Sequence, residues 1–118
     1  MQRLSRSIGE LEPHYDVVVV GSGYGGGVAA SRLARCGRKV CVLERGREIL
    51  PGEFPDRLIE AQPEFQITER GVHLGRRDGL YDLRLGNDIH VFLGCGLGGT
   101  SLVNANVSLP PDPRIMSG

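Results

Sequence analysis

The run VVVVGSGYGGGVAASRLA, residues 17–34, constrains the fold of this chain more than any other feature. A continuous β-branched stretch at 16–20 predicts a strand buried on both faces of a parallel sheet. Small, apolar and charged residues at helical spacing then predict a helix over 24–36, which Gly37 should end. A second apolar strand is predicted over 39–43. This order of elements predicts a parallel βαβ unit.

The glycines of this run form the pattern G-x-G-x-x-G. Gly21 permits the turn out of the strand, Gly23 lets the backbone approach a pyrophosphate, and Gly26 allows the helix to pack closely on the sheet. The amides at the start of the helix would favour an anion by about 0.3–2 kcal/mol. Glu44, at the end of the second strand, is predicted to accept hydrogen bonds from ribose hydroxyls and to disfavour NADP. The pattern therefore favours a dinucleotide site over its alternative, a glycine-rich turn with a solvated carboxylate.

The rest of the chain carries weaker signals. Several prolines predict a mostly irregular segment over 45–79, with one short helix around 56–61. Residues 81–85 and 89–93 predict two strands of a hairpin. A second glycine cluster follows at 94–99. In it, Gly98, Gly99 and Thr100 are expected to form an amide-rich nest before a short helix, a second cradle for an anion. A β-bulge and turn is the alternative.

The two segments VVVVGSGYGGGVAASRLA…VLERG and GCGLGGTSLVNANV together resemble the N-terminal region of glucose-methanol-choline oxidoreductases, most closely the cholesterol-oxidase-like branch. The resemblance implies that the ADP part of FAD is held by Gly21, Gly23, Tyr24, Gly25, Gly26 and Glu44. It implies a second loop along the pyrophosphate and ribityl chain, formed by Gly98, Gly99, Thr100 and Asn104. Val103 stands where some relatives carry a histidine bonded to the flavin, so the resemblance implies non-covalent FAD.

The family resemblance implies an α/β fold of the doubly wound, glutathione-reductase-like type. We expect a partial Rossmann-like βαβ unit, a β-hairpin and a second glycine-rich loop. Residues 1–14 are interpreted as a lead-in, 15–109 as the N-terminal part of an FAD-binding domain, and 110–118 as a proline-rich truncated tail. The first strand has no visible cover for its second face. We therefore expect a fragment of a longer protein, inactive alone.

The implied function is oxidation of the CH–OH group of an alcohol or sterol. In that family the catalytic residues lie far toward the C-terminus, no position here matches them, and no catalytic residue is assigned. His14, His73 and His90 are isolated in the sequence. Two alternatives remain, a non-catalytic truncated nucleotide-binding module and an NAD-binding Rossmann module. The second glycine cluster argues against the NAD module, which needs no loop aimed at a ribityl chain.

Composition limits the remaining possibilities. The 118 residues carry 14 basic and 14 acidic side chains, so no net field would attract nucleic acid. No stretch approaches the ~20 apolar residues that span a bilayer, and no secretory signal pattern is recognised. A cytoplasmic protein is the expectation. Three cysteines, Cys36, Cys41 and Cys95, have neither metal-ligand nor redox spacing and are predicted to be small buried hydrophobes.

Overall fold

The computed structural model describes residues 2–104 together with Asp112 and Arg114. This part of the chain contains the strands and helices β1 Val17–Val20, α1 Tyr24–Arg35, β2 Val40–Leu43, α2 Leu58–Ala61, β3 Phe65–Glu69, β4 Val72–Gly75, β5 Tyr81–Leu85 and β6 His90–Gly94. Short 3-10 turns occur at Ile8–Glu10, Gln62–Glu64 and Gly99–Val103. The predicted α/β class is confirmed. Apart from Asp112 and Arg114, the predicted tail 110–118 lies outside the described residues.

The predicted βαβ unit is present. β1 and β2 pair in parallel, with Val17 opposite Val40 and Val20 opposite Leu43, and α1 packs against both strands. Gly37 ends the helix as expected, because its φ of 77° places it in the left-handed region. The amide of Gly37 donates to the Ala34 carbonyl at 2.9 Å and that of Arg38 to Leu33 at 3.1 Å. These two bonds form a Schellman motif.

The prediction that β1 is buried on both faces is wrong for the described residues. Val17 and Val19 are half-buried, whereas Val18 and Val20 are 53% and 84% exposed. The helix covers one face of the two-stranded sheet, and the other face is open, as expected from a chain that offers it no visible cover.

A second sheet has the strand order β4-β3-β5-β6. The β5–β6 pair is the predicted hairpin, with Leu85 opposite His90. β3 runs parallel to β5 and antiparallel to β4. The prediction of a mostly irregular segment over 45–79 is therefore wrong, although its short helix is confirmed as the single turn Leu58–Ala61. The two residues Arg70 and Gly71 join β3 to β4 with φ of 47° and 84°, the conformation of a type I′ hairpin turn.

The side chains that are most completely buried lie in and beside the second sheet: Leu80, Gln66 and Asp82. Asp82 accepts hydrogen bonds from the guanidinium groups of Arg45 at 2.7 Å and Arg84 at 3.1 Å. Because Arg45 lies two residues after the end of β2, its ion pair with Asp82 connects the βαβ unit to the second sheet. Burial alone would raise the pKa of Asp82, but the two arginines outweigh it and hold the pKa below its usual value.

The cysteine prediction is confirmed in two positions and wrong in the third. Cys41 and Cys95 are buried and reduced. Cys36 is exposed, because it caps the C-terminal end of α1, where the chain turns at the protein surface.

Candidate cofactor-binding site

The first glycine loop, Gly21, Ser22 and Gly23, connects β1 to α1. Gly21 has φ of 90°, a value that side chains rarely tolerate, and its amide donates to the Leu43 carbonyl at 2.8 Å. A Cβ at Gly26 would lie 2.0 Å from the Gly21 carbonyl oxygen. The structure therefore confirms the predicted turn at Gly21 and the predicted close packing at Gly26.

The N-terminal end of α1 is open to a ligand. Gly23 is its N-cap, and among the described residues no side chain caps the helix and no acidic residue occupies its first turn. A Cβ on Gly23 or Gly25 would meet nothing within 4 Å. Backbone amides at such an end lack helical partners and carry the positive end of the helix dipole. This end of α1 thus offers both the space and the polarity that a phosphate requires.

Glu44 follows β2 and faces the first glycine loop. Its Oε2 accepts hydrogen bonds from the Ser22 amide at 2.9 Å and the Ser22 hydroxyl at 2.6 Å. Its Oε1 accepts one from the Gly46 amide at 2.9 Å. Partial burial alone would raise the pKa of Glu44, but the bonds from Gly46 and Ser22 outweigh it, so the pKa lies below the usual 4.5. The group is an ionised acceptor with about four lone-pair positions, of which these bonds take three, and the Arg45 amide also lowers its pKa.

The second glycine loop, residues 94–99, lies against the first. A Cβ at Gly99 would approach the Gly23 Cα to 2.9 Å, so the two backbones touch where both residues are glycine. Gly98 and Gly99 have φ of 108° and 67°. The predicted short helix is confirmed as the 3-10 turn Gly99–Val103. On this turn Thr100 is exposed, and the exposed Asn104 caps its C-terminal end.

The predicted amide nest at this second loop is not open at its two glycines. The Gly98 amide donates to the Ser22 hydroxyl at 2.9 Å, and the Gly99 amide donates to the Gly96 carbonyl at 2.8 Å. Both donors are committed within the protein. This loop therefore offers a ligand neither of these two donors.

Three residues that connect the loops of the site were not predicted from the sequence: Ser22, Gly46 and Gly96. A Cβ on Gly46 would lie 2.4 Å from the Gly96 nitrogen, and the Leu97 amide donates to the Arg47 carbonyl at 2.9 Å. The segment after β2 therefore also packs against the second glycine loop. Gly46 and Gly96 lack side chains, and this allows their backbones to come into contact. The glycine-rich local sequence is a signal from which such a contact could have been predicted. Ser22 gives no such signal, because it occupies a variable position of the glycine motif.

An open cavity of about 1780 Å³ adjoins these loops. Ser22, Glu44 and Gly98 line it on one side, and the segment of residues 2–15 lines it on the other. Glu48 holds that segment, since it accepts hydrogen bonds from the Leu4 amide at 3.0 Å and from the Ser5 amide and hydroxyl at 2.8 Å each. The volume exceeds the roughly 300–1,000 Å³ of a pocket for a drug-sized ligand. Its volume is sufficient for a dinucleotide.

Other chemistry finds little support in the described part of the chain. None of its three histidines lines the cavity; His73 instead pairs with Thr68, Nδ1 to Oγ1 at 3.0 Å. No group of three or more His, Cys, Asp or Glu side chains is placed to hold a metal ion among these residues. Within the same range, no helix has the length and apolar character to cross a membrane.

Comparison with known proteins agrees with the geometry of the loops. Over residues 16–77, more than half of the chain, the sequence matches the model of the family described as pyridine nucleotide-disulphide oxidoreductase. The match begins one residue before β1 and extends beyond β4. It thus includes the first glycine loop and Glu44 and stops short of the second glycine loop.

Curated relatives are similar over most of the chain. A cholesterol oxidase of Mycobacterium tuberculosis is 36% identical over 104 residues, 87% of this chain and 17% of the relative. A long-chain-alcohol oxidase of Arabidopsis thaliana is 45% identical over 89 residues, 75% of this chain and 11% of that protein. An uncharacterized GMC-type oxidoreductase of Mycobacterium tuberculosis is 37% identical over 103 residues, with coverages of 81% and 14%. The resemblance to glucose-methanol-choline oxidoreductases is confirmed, and the chain spans less than a fifth of these relatives.

Proposed function

This chain belongs to the pyridine nucleotide-disulphide oxidoreductase family, and we propose that it is the N-terminal, FAD-binding part of an oxidoreductase that acts on an alcohol or sterol. Its relatives are named for oxidation of cholesterol and of long-chain alcohols. An oxidoreductase that uses a flavin or nucleotide cofactor is the general conclusion. FAD and the class of substrate are the specific proposal.

One observation carries the proposal: two glycine loops that are more than 70 residues apart in sequence meet at an uncapped helix N-terminus, beside an ionised carboxylate. The Gly98 amide and the Ser22 hydroxyl are 2.9 Å apart, and Ser22 contacts Glu44. A mononucleotide would need only the first loop and the acid. A second loop beside the first would give further contacts to a longer ligand, such as a dinucleotide with a central pyrophosphate.

The residues present fit FAD at its ADP end. The α1 amides after Gly23 would receive the pyrophosphate, with Gly23 and Gly25 leaving the approach open, Gly26 packed against Gly21 beneath it and Tyr24 exposed beside it. Glu44 would accept a hydrogen bond from the adenosine ribose. Gly98, Gly99, Thr100 and Asn104 would border the pyrophosphate and ribityl chain. The residue immediately before Asn104 is Val103 and not histidine, so the cofactor would be held without a covalent bond.

FAD, when bound, supplies two-electron oxidation of an alcohol carbon to a carbonyl. The residues of this chain would bind and orient the cofactor, and the glycine loops would exclude water from its phosphates. No residue of the chain is proposed as the base that takes the substrate proton. We accordingly propose that the 118 residues alone bind FAD weakly and do not turn over substrate.

The alternative is an NAD-binding module, which the description of the matching family favours. The decisive experiment is an equilibrium titration of the purified protein with FAD, ADP, NAD and NADP, followed by flavin fluorescence and calorimetry. We expect FAD to bind more tightly than ADP, because it would reach the second glycine loop, and NADP to bind least. Tighter binding of NAD than of FAD would favour the alternative and overturn the proposal.

A further inference from the structure

The hydroxyl of Ser22 stands between the acid of the first nucleotide site and the second glycine loop. It lies 2.6 Å from Glu44 Oε2 and 2.9 Å from the Gly98 amide nitrogen. We propose that Ser22 is a positioning residue that couples ligand binding at Glu44 to the conformation of the second glycine loop. The inference rests on the proposed function, because Ser22 would connect the two loops of the proposed nucleotide site.

The direction of the hydrogen bonds follows from the groups involved. A backbone amide can only donate, and an ionised carboxylate can only accept. Ser22 has one hydroxyl proton, and the Glu44 oxygen at 2.6 Å takes it in preference to the Gly96 carbonyl at 3.5 Å. The chain of bonds therefore runs from the Gly98 amide through the Ser22 hydroxyl to Glu44. The negative charge of Glu44 polarises the hydroxyl oxygen and strengthens the bond from Gly98.

The hydrogen bond between Ser22 and Gly98 holds a part of the second glycine loop whose glycine backbone permits other conformations. Gly98 has φ of 108° and is the N-cap of the turn Gly99–Val103, a position with no side-chain cap in the structure. Gly99 beside it rests on Gly23 of the first glycine loop. If Gly98 loses its partner, the loop is held by fewer bonds and can rotate away from Gly23. Loss of the hydroxyl also removes its bond to Glu44, but the Ser22 and Gly46 amides still hold Glu44 at 2.9 Å each, so the group that loses its partner is the Gly98 amide of the second loop.

Ligands should report this coupling differently. ADP would contact α1 and Glu44 only, whereas FAD would also contact the second glycine loop. If the second glycine loop is already ordered, less conformational entropy is lost when FAD binds. Coupling of this kind is reciprocal, so bound FAD should also order the loop. Loss of the Ser22 hydroxyl should therefore weaken FAD more than ADP.

The test begins without cofactor, by hydrogen exchange of the protein that carries this chain. Peptides covering 94–104 are compared in the wild type, Ser22→Ala, Ser22→Thr and the control Ser31→Ala, which removes an exposed hydroxyl from α1. We expect about five- to tenfold faster exchange in Ser22→Ala, the loss of one ordinary hydrogen bond. Ser22→Thr should restore the wild-type rate because it keeps the hydroxyl, and Ser31→Ala should not change it. If Ser22→Ala does not fold, Ser22→Cys, a weaker donor and acceptor, replaces it.

Unchanged exchange over 94–104, or an equal rise over β1 and α1, would overturn the inference. The second measurement is the ratio of the FAD dissociation constant to the ADP dissociation constant, which should rise about fivefold toward unity in Ser22→Ala and recover in Ser22→Thr. An equal loss of both ligands would show a general structural role and also overturn it. If the wild type binds neither ligand, the proposed function fails, and the exchange result alone decides whether Ser22 holds the loop.

Discussion

Replacement of Glu44 by glutamine tests the nucleotide site at its charged group. Hydrogen bonds from Ser22 and Gly46 occupy three of its roughly four acceptor positions, and the Arg45 amide also interacts with the carboxylate, so at most one position is open to a ribose hydroxyl. The sequence alone had suggested room for two. A charge-assisted hydrogen bond is worth about 1–1.5 kcal/mol more than a neutral one. We therefore expect Glu44→Gln to raise the dissociation constant of FAD about tenfold.

The same substitution should also lower stability. Whichever way the new amide is oriented, its nitrogen faces a donor, either the Gly46 amide or the Ser22 amide and hydroxyl. One buried or half-buried donor is left unpaired, at a cost of about 1–3 kcal/mol. The folded pKa of Glu44 lies below its usual 4.5. Its stabilising contribution is thus fully present above pH 4.5 and is lost as the pH falls through the lower folded pKa.

The assay combines thermal melts between neutral and acidic pH with flavin-fluorescence titrations. Glu48→Gln is the matched control, because Glu48 also accepts two backbone amides and a hydroxyl, from Leu4 and Ser5, but does not contact the glycine loops. Wild type and Glu48→Gln should both prefer FAD to NADP, and Glu44→Gln should lose part of that preference. Equal FAD affinity in Glu44→Gln and wild type, or tighter NADP than FAD binding by the wild type, would refute the role of Glu44.

Three further outcomes are expected. Gly26→Ala places a Cβ 2.0 Å from the Gly21 carbonyl oxygen and should lower the melting temperature sharply. Gly23→Ala places a Cβ with nothing within 4 Å, so it should leave the melting temperature unchanged and weaken FAD binding. Equal melting temperatures of the two variants would contradict this. Asp82→Asn should destabilise the protein by about 1–3 kcal/mol in urea denaturation, because it removes the charge of a buried carboxylate that pairs with the half-exposed Arg45 and Arg84; an unchanged midpoint would show that these pairs are dispensable. Acid precipitation should release all flavin, since Val103 stands at the tethering position, and yellow colour in the pellet would reveal a covalent bond.

The βαβ unit could be predicted from sequence because its signals are local and agree with one another. Four valines, a glycine loop and a helical pattern closed by Gly37 are followed by the strand that ends at Glu44. Each segment restricts its own backbone, and the connection is too short for another arrangement. The hairpin of β5 and β6 was predictable for the same reason.

The β3–β4 hairpin was missed because its turn has an unusual residue. The type I′ turn needs positive φ at both central positions, which asparagine or glycine usually supplies. Here Arg70 takes the first position with φ of 47°. The three prolines at positions 51, 55 and 63 do not alone account for the miss. Pro63 lies in the 3-10 turn Gln62–Glu64 directly before β3. β3 also pairs with the neighbouring strand β5, and this pairing offsets the strain at Arg70. Because the two strands are distant in sequence, their pairing cannot be predicted from the local sequence.

The glycines divide into two physical classes that the sequence pattern does not separate. Gly26, Gly46 and Gly99 face protein backbone, where a Cβ would lie within 3 Å of another residue. Gly23 and Gly25 face open space. The first class is needed to bring three chain segments together before any ligand arrives. The second class has no structural reason to be glycine except the approach of something outside the chain, and these are the residues beside the uncapped amides of α1. The open glycines therefore point to the ligand more directly than the motif as a whole.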